Sequence, residues 1–339
     1  MPRSKTPSHL LVVRSSAMGD VAMLPHALRA LRGAYPDLRI TVITRKLFAP
    51  FFTGLGVEFL FIDTKGAHKS PRGILRLASE AARLGVDAVA DCHDVLRSWL
   101  LRQALRLRLI RTASIRKGRF AKWLRMGYNA ECTQPLKHTV LRYCDTFRRL
   151  GFQFEDPAPA TKPQLPNPMG KKEGRWVGVA PFSAHPGKIY PLEQMEEVVR
   201  QLSQTYEQVF IHSGGGKEQA WAEQMAARYP HVKALFGQVS MEEELALISH
   251  QDCVVSMDSL VMHMASLTAT PVVSVWGATH PKMGFLGYGC NPEGVVQLSE
   301  MTCRPCSVYG KKPCKFCDYR CLKQIPPEVI VERVKQLIA

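Results

Sequence analysis

The feature that most constrains this chain is a strand–helix alternation that runs through it twice, with a proline-rich stretch between the two runs. His9 to Val13 (HLLVV) is a short apolar run of strand character. The turn Ser15-Ser16-Ala17-Met18-Gly19-Asp20 follows it. Val21, Leu24, Ala27, Leu28 and Leu31 then recur at helical spacing, until Gly33 and Pro36 end the helix. RITVI at 39–43 and the runs at 58–62, 88–90 and 107–110 read as further strands. Residues 152–174 carry five prolines and no periodicity, which is linker composition. Beyond them the alternation restarts. Strands are expected at 176–180, 208–213, 232–236, 252–256 and 271–276. Helices are expected at 192–202, 219–228 and 242–249, after Asp258, and at 328–338.

Such a series is the sequence sign of parallel sheets covered by helices on both faces. The expected architecture is therefore α/β, with two Rossmann-like, doubly wound domains facing across a cleft. Ligands of such sheets bind at the carboxyl ends of the strands, so the site is expected in that cleft. The expected divisions are residues 1–165, residues 166–325 with a cysteine-rich loop at 303–321, and a C-terminal helix at 326–339 returning to the first domain. At ~150 residues per domain, 339 residues suit two domains.

Apolar residues make up 46% of the chain and charged residues 22%, a balance that excludes disordered and fibrous classes. No run approaches the ~18 apolar residues of a membrane span. The apolar run near the amino terminus gives way to Arg14 at once, so no signal peptide is expected and the location should be cytoplasmic. The formal charge of +16 attracts phosphate in some form: nucleic acid, anionic lipid or nucleotide. Between Arg97 and Arg125 stand ten basic residues and no acidic one: Arg97, Arg102, Arg106, Arg108, Arg111, Arg116, Lys117, Arg119, Lys122 and Arg125. The basicity is local.

Ten cysteines without an export signal argue against a disulfide framework. Cys92, Cys132, Cys144, Cys253 and Cys290 are scattered and read as packing residues. The other five form C-x2-C-x7-C-x2-C-x3-C, and two C-x2-C knuckles suit a tetrahedral thiolate zinc site. The expected ligands are Cys303, Cys306, Cys314 and either Cys321 or, alternatively, Cys317. A saturated site leaves no position for substrate, so its role would be structural. The bland alternative is a set of reduced thiols.

Three loops after strands could carry chemistry. In the first, Gly19 permits close approach or positive φ, and Asp20 opens a helix as either an N-cap or a catalytic carboxylate. In the second, residues 181–188, Lys188 is either a solvated loop lysine or a mobile charge for an anionic oxygen. In the third, residues 256–263, a helix amino terminus carrying Ser259 suits phosphate, while His263 is either a ligand or a core histidine. Gly214-Gly215-Gly216 with Glu218 lacks both the G-x-G-x-x-G and the Walker spacing.

Together, S-A-M-G-D after the first strand, the loop ending in Lys188 before Tyr190-Pro191, and M-D-S-x-x-M-H before T-P-V-V-S-V-W-G-A-T resemble glycosyltransferase family nine. These are the heptosyltransferase-like enzymes of lipopolysaccharide assembly, and the resemblance spans about residues 9–338. It implies a GT-B fold and an inverting, metal-independent transfer of a heptose-like sugar from a nucleotide-diphosphate sugar to a glycolipid acceptor. No cofactor is then needed for catalysis. Carried over, Asp20 matches the catalytic base, with Met18 and Gly19 in the acceptor-side loop. Lys188 matches the lysine on the donor diphosphate, Ser183 a hydroxyl on the phosphates, and Glu218 a carboxylate near the nucleoside. Asp258, Ser259 and His263 match the donor-binding D-[ST]-G-x-x-H segment, except that Leu260 stands where the pattern has glycine. That departure bears on the choice of donor.

The resemblance makes the Arg97-to-Arg125 segment, interleaved with Trp99, Phe120 and Trp123, a surface resting on anionic lipid and admitting a lipid-linked acceptor. A peripheral position on the inner face of the cytoplasmic membrane follows, with no nucleic-acid partner. The alternatives are a solvated face, a nucleotide-sugar epimerase or hydrolase on the same fold, and an RNA-binding zinc module.

Overall fold

The structure, a computed structural model, describes residues 6–127, 134–299 and 301–339. The chain forms two compact units. One comprises the residues up to Lys117 with Thr139–Ala158, and the other Gly118–His138 with Pro159–Ala339. The crossing at Ala158 falls inside the proline-rich stretch, but the first unit is not one continuous segment as expected. Residues 118–138 belong to the second unit because that unit holds them. There Gly127 N–H donates to Pro305 O (2.9 Å), Leu136 N–H to Lys282 O (2.8 Å), and the His138 ring bonds Leu286 O (2.6 Å).

In the first unit β1 (His9–Val13), α1 (Met18–Ala34), β2 (Arg39–Thr44), β3 (Glu58–Phe61), α2 (Pro71–Arg83), β4 (Ala88–Asp91), α3 (Leu96–Arg106) and β5 (Arg111–Ser114) build a parallel sheet of order β3-β2-β1-β4-β5. The run at 107–110, expected as a strand, is instead the turn that ends α3. Leu107 and Leu109 are exposed and Leu109 has φ +63°, so nothing packs on them as a strand would require. The edge strand is the less apolar Arg111–Ser114, paired with Ala88–Asp91. Leu11 and Val13 alternate with Leu10 and Val12 along β1. Leu11 and Val13 pack with Ile74 and Leu77 of α2 and with Leu101 and Leu105 of α3. After α4 (Arg119–Leu124) in the second unit, α5 (Thr139–Arg148) returns to the first and packs on α1.

The second unit repeats the design with β6 (Trp176–Ala180), α6 (Leu192–Thr205), β7 (Gln208–Ile211), α7 (Lys217–Arg228), β8 (Val232–Ala234), α8 (Met241–His250), β9 (Cys253–Met257), α9 (Leu260–Leu267), β10 (Val272–Val275) and β11 (Val295–Val296). Its sheet is parallel, of order β11-β10-β9-β6-β7-β8. Val177 and Val179 face one core, with Val255 and Val273, while Trp176 faces a smaller one with Phe210, Leu235 and Leu247. Gly178 between them is required by close approach: a Cβ there would stand 2.2 Å from Gln251 Oε1.

α10 (Arg320–Lys323) and α11 (Pro327–Ile338) close the chain. α11 was expected to return to the first domain. It lies instead within the second unit, where Ile330, Val331 and Val334 are buried in the core with β9, β10 and α6. That apolar stripe covers a sheet face that would otherwise be open to water.

In each sheet the strand order reverses once, between β1 and β4 in the first and between β6 and β9 in the second. At such switch points the loops diverge and leave a crevice above the strand ends.

Candidate active site

The switch point of the first sheet gathers Arg14, Ser15, Ser16 and Asp20 after β1 with Cys92 and His93 after β4. Asp20 is not an N-cap. Ala17 holds that position without a side-chain bond, and Asp20 lies in the first turn of α1. Its carboxylate pairs with the guanidinium of Arg14, which is buried. Arg14 Nη1 also donates to Cys92 O (2.6 Å), and its guanidinium lies 5.9 Å from the centre of the Tyr143 ring. The Tyr143 hydroxyl donates to the backbone oxygen of Asp20 (3.0 Å). A carboxylate so placed has its orientation fixed, which suits a group that must accept a proton at one defined place.

His93 braces the same turn. Its Nε2 lies 3.0 Å from Ser16 Oγ and its Nδ1 3.3 Å from Ser15 Oγ. Burial, then the charges of Arg14 and Lys117, push its pKa down to about 3, so the ring is neutral near pH 7. Asp91 shapes the loop that presents it, accepting the N–H groups of His93 (3.0 Å) and Asp94 (2.8 Å). Burial raises the Asp91 carboxyl against those bonds. Met18 is exposed and Gly19 lies in the first helical turn, so a positive φ is not what Gly19 supplies.

At the switch point of the second sheet stand Ser183 and Lys188 after β6, Asp258 and Ser259 after β9, and Thr279 after β10. Lys188 Nζ lies 2.7 Å from Asp258 Oδ2, with both side chains largely buried. Thr279 Oγ1 donates to the same oxygen (2.8 Å), and Ser183 Oγ donates to the backbone oxygen of Asp258 (3.0 Å). Lys188 is therefore not a solvated loop lysine. Losing one partner of such a pair strands the other charge, at a cost of about 3–5 kcal/mol. Ser259 is the N-cap of α9 without a side-chain cap bond, its Oγ 3.2 Å from Ser256 Oγ. The Lys188 ammonium is anchored by Asp258, one residue before the N-cap of α9, and an ammonium near a helix amino terminus suits an anionic oxygen. His263 is buried one turn further on. Glu218 stands apart from this cluster, its Oε2 accepting the N–H of Gly214 (2.9 Å) in the loop after β7. Leu260 is half-buried as the first residue of α9.

Cys92, Cys144 and Cys253 are buried, and burial raises their thiols, those of Cys144 and Cys253 to about 12. The Cys290 thiol is raised likewise. All four are the inert residues expected; Cys132 lies outside the described residues. In the cysteine-rich loop burial pushes the Cys306 thiol up to about 12, and Cys303, Cys321 and Cys314 are its neighbours. Cys317 is exposed. Among the described residues no group of three or more His, Cys, Asp or Glu is arranged to hold a metal ion.

The basic residues between Arg97 and Arg125 are not one solvated array. Lys122 is buried with its ammonium 4.1 Å from the centre of the Phe285 ring, Arg102 lies 3.5 Å from Asp91, and Arg125 donates to Gln134 O. What is exposed is mixed: Leu96, Trp99, Leu107 and Leu109 beside Arg106 and Arg108 in the first unit, and Phe120, Trp123 and Leu124 beside Arg119 in the second. No helix among the described residues is long and apolar enough to cross a membrane.

Sequence reading missed Arg14, His93 and Thr279. Each lies within four residues of a strand's carboxyl end, and that position was the available signal.

Two parallel sheets with flanking helices, each carrying polar side chains at its switch point, are the plan of the GT-B fold. The family model for glycosyltransferase family 9 (heptosyltransferase) matches residues 74–316, and the chain belongs to that family. Lipopolysaccharide heptosyltransferase 2 of Salmonella typhimurium is 24% identical over 299 residues, covering 80% of this chain and 83% of the relative. Among solved structures, a family 9 glycosyl transferase from Veillonella parvula matches with TM-score 0.73 at 18% identity, covering 98% of this chain and 97% of the other. The E. coli heptosyltransferase WaaC with ADP-2-deoxy-2-fluoro heptose matches with TM-score 0.68 at 18% identity, covering 97% and 99%.

Proposed function

We propose that this glycosyltransferase moves a heptose from an ADP-linked donor to a lipopolysaccharide-core acceptor, with inversion and without a catalytic metal. The observation that carries the reading is the buried Lys188–Asp258 pair at the amino end of α9, a ready grip for a diphosphate. The donor and acceptor classes rest on the relatives' printed substrates. In the reaction the acceptor hydroxyl oxygen attacks the anomeric carbon as the bond from that carbon to the diphosphate oxygen breaks. Asp20 takes the hydroxyl proton, and the nucleoside diphosphate leaves with the bonding electrons. Negative charge grows on the departing phosphate, where Lys188 and the N–H groups of α9 lower its energy. Arg14 keeps Asp20 aimed. Ser183 and Ser259 offer hydroxyls to the phosphates, His263 supports that segment, and Glu218 takes the nucleoside side. Met18 and Gly19 line the acceptor's approach.

Two further parts belong to this reading. Cys303, Cys306, Cys314 and Cys321, with Cys317 as the spare thiol, draw together around one structural zinc ion. The knuckle spacing and the neighbourhood of Cys303 and Cys306 support it. The exposed arginines and aromatics of residues 97–125 rest on an anionic cytoplasmic membrane surface, where each cation adds about 1 kcal/mol.

The product distinguishes the mechanism. Transfer from a donor of known anomeric configuration should give the opposite configuration by NMR, at a rate unchanged by excess EDTA. Retention of configuration, or loss of activity restored by a divalent cation, would overturn the mechanism.

A further inference from the structure

We propose that Arg304 and Gly310, on the cysteine-rich loop, are positioning residues for the diphosphate grip; the inference rests on the reading of Lys188 given above. Arg304 is only 2% exposed. A buried guanidinium is tolerated where its N–H groups meet acceptors, and this one meets five. Nε donates to Gly277 O (2.5 Å), Nη1 to Leu298 O (2.7 Å), and Nη2 to Trp276 O (3.3 Å), Thr279 O (3.0 Å) and Gln297 Oε1 (3.0 Å). Three of these oxygens belong to the loop that follows β10. Arg304 therefore gathers the backbone of Trp276, Gly277 and Thr279 around one cation.

That loop is tied to the grip by short links. Cys306 N–H donates to Ala278 O (2.9 Å), and Ala278 N–H donates to Gly187 O (2.8 Å), one residue before Lys188. Thr279 Oγ1 holds Asp258 Oδ2, and Asp258 holds Lys188. The cysteine-rich loop also touches Lys188 directly. Gly310 has φ +74°, and a Cβ there would stand 2.8 Å from Lys188 Cγ and 2.9 Å from its Cε. The flexible stem of Lys188 thus runs along bare backbone on one side and is anchored by Asp258 at its tip. A lysine otherwise carries about 2 kcal/mol of rotamer entropy that binding must remove. Here the fold has removed it beforehand, which is how preorganisation strengthens binding.

The test compares ADP with AMP, which lacks the phosphate that Lys188 would hold. Calorimetry is run on the full-length wild-type chain, Arg304→Gln and Gly310→Ala. We expect each variant to bind ADP at least ~10-fold more weakly than wild type while AMP binding stays within ~3-fold, since only the diphosphate reads the position of Lys188. Should Arg304→Gln fail to fold, Gly310→Ala decides, because it leaves the Arg304 bonds intact. A folded variant that binds ADP as wild type does would overturn the proposal. So would equal weakening of ADP and AMP, the mark of a merely structural role. A wild-type chain that binds ADP no better than AMP would instead refute the diphosphate grip itself, and this inference with it.

Discussion

Asp20 and Lys188 carry opposite charges, and each is held by a buried partner, which separates their expected losses. Asp20→Ala should abolish turnover while changing donor affinity by calorimetry less than tenfold. More than a tenth of wild-type activity would remove Asp20 as the base. Lys188→Ala should weaken donor binding and slow transfer by roughly 10²-fold or more, since it strips charge from the departing phosphate. Its protein should also melt lower, because Asp258 is left buried and unpaired. His93 makes a third expectation. Its folded pKa of about 3 lies below the ordinary 6.5, so below pH 6.5 the unfolded chain binds a proton that the native chain does not. Stability is therefore lost as pH falls from 6.5 toward 3, and His93→Gln should flatten that part of the stability–pH curve relative to wild type. An unchanged slope would mean the ring is not buried neutral. Asp20, Lys188 and Asp258 were legible because each lies on the segment that follows an apolar strand run. Arg14 and His93 were not: they are 79 residues apart, and only the pairing of β1 with β4 brings them together. No local pattern encodes that neighbour.

Among the elements, the cysteine-rich loop and the basic segment carry separate expectations. Protein purified without added metal should contain near one equivalent of zinc by elemental analysis, and less than a tenth would sink the site. The segment between Arg97 and Arg125 should sediment the protein with vesicles containing anionic lipid but not with neutral ones, and added salt should weaken that binding. Trp99→Ala combined with Arg106→Gln should reduce it, whereas equal binding to neutral vesicles would contradict a charge-led surface. The run at 107–110 shows where reading elements from sequence fails. Alternating Leu and Arg satisfy a strand period, yet α3 ends there and leaves Leu107 and Leu109 in solvent. The paired edge is the more polar Arg111–Ser114, because backbone pairing with β4 needs no apolar side chains. The last helix had a clear apolar stripe, but a stripe does not name the surface it will cover.

Taken whole, the chain repeats one plan, a parallel sheet whose order reverses beside its first strand. The two-fold strand–helix series made that plan legible, and it placed the candidate residues on loops after β1, β6 and β9. The strand orders themselves were not legible, since side-chain periodicity says which face is buried and nothing about which strand lies alongside. The transfer of residues 118–138 to the second unit was hidden for the same reason, as backbone bonds from Gly127 and Leu136 hold it there. The most direct measurement is release of ADP from ADP-heptose, followed with and without a lipopolysaccharide-core acceptor lacking that heptose. Release that depends on the acceptor, with a heptosylated product of matching yield, is the expected result. Donor consumption at the same rate without any acceptor would contradict transfer and leave a donor-hydrolysing or epimerising enzyme in its place.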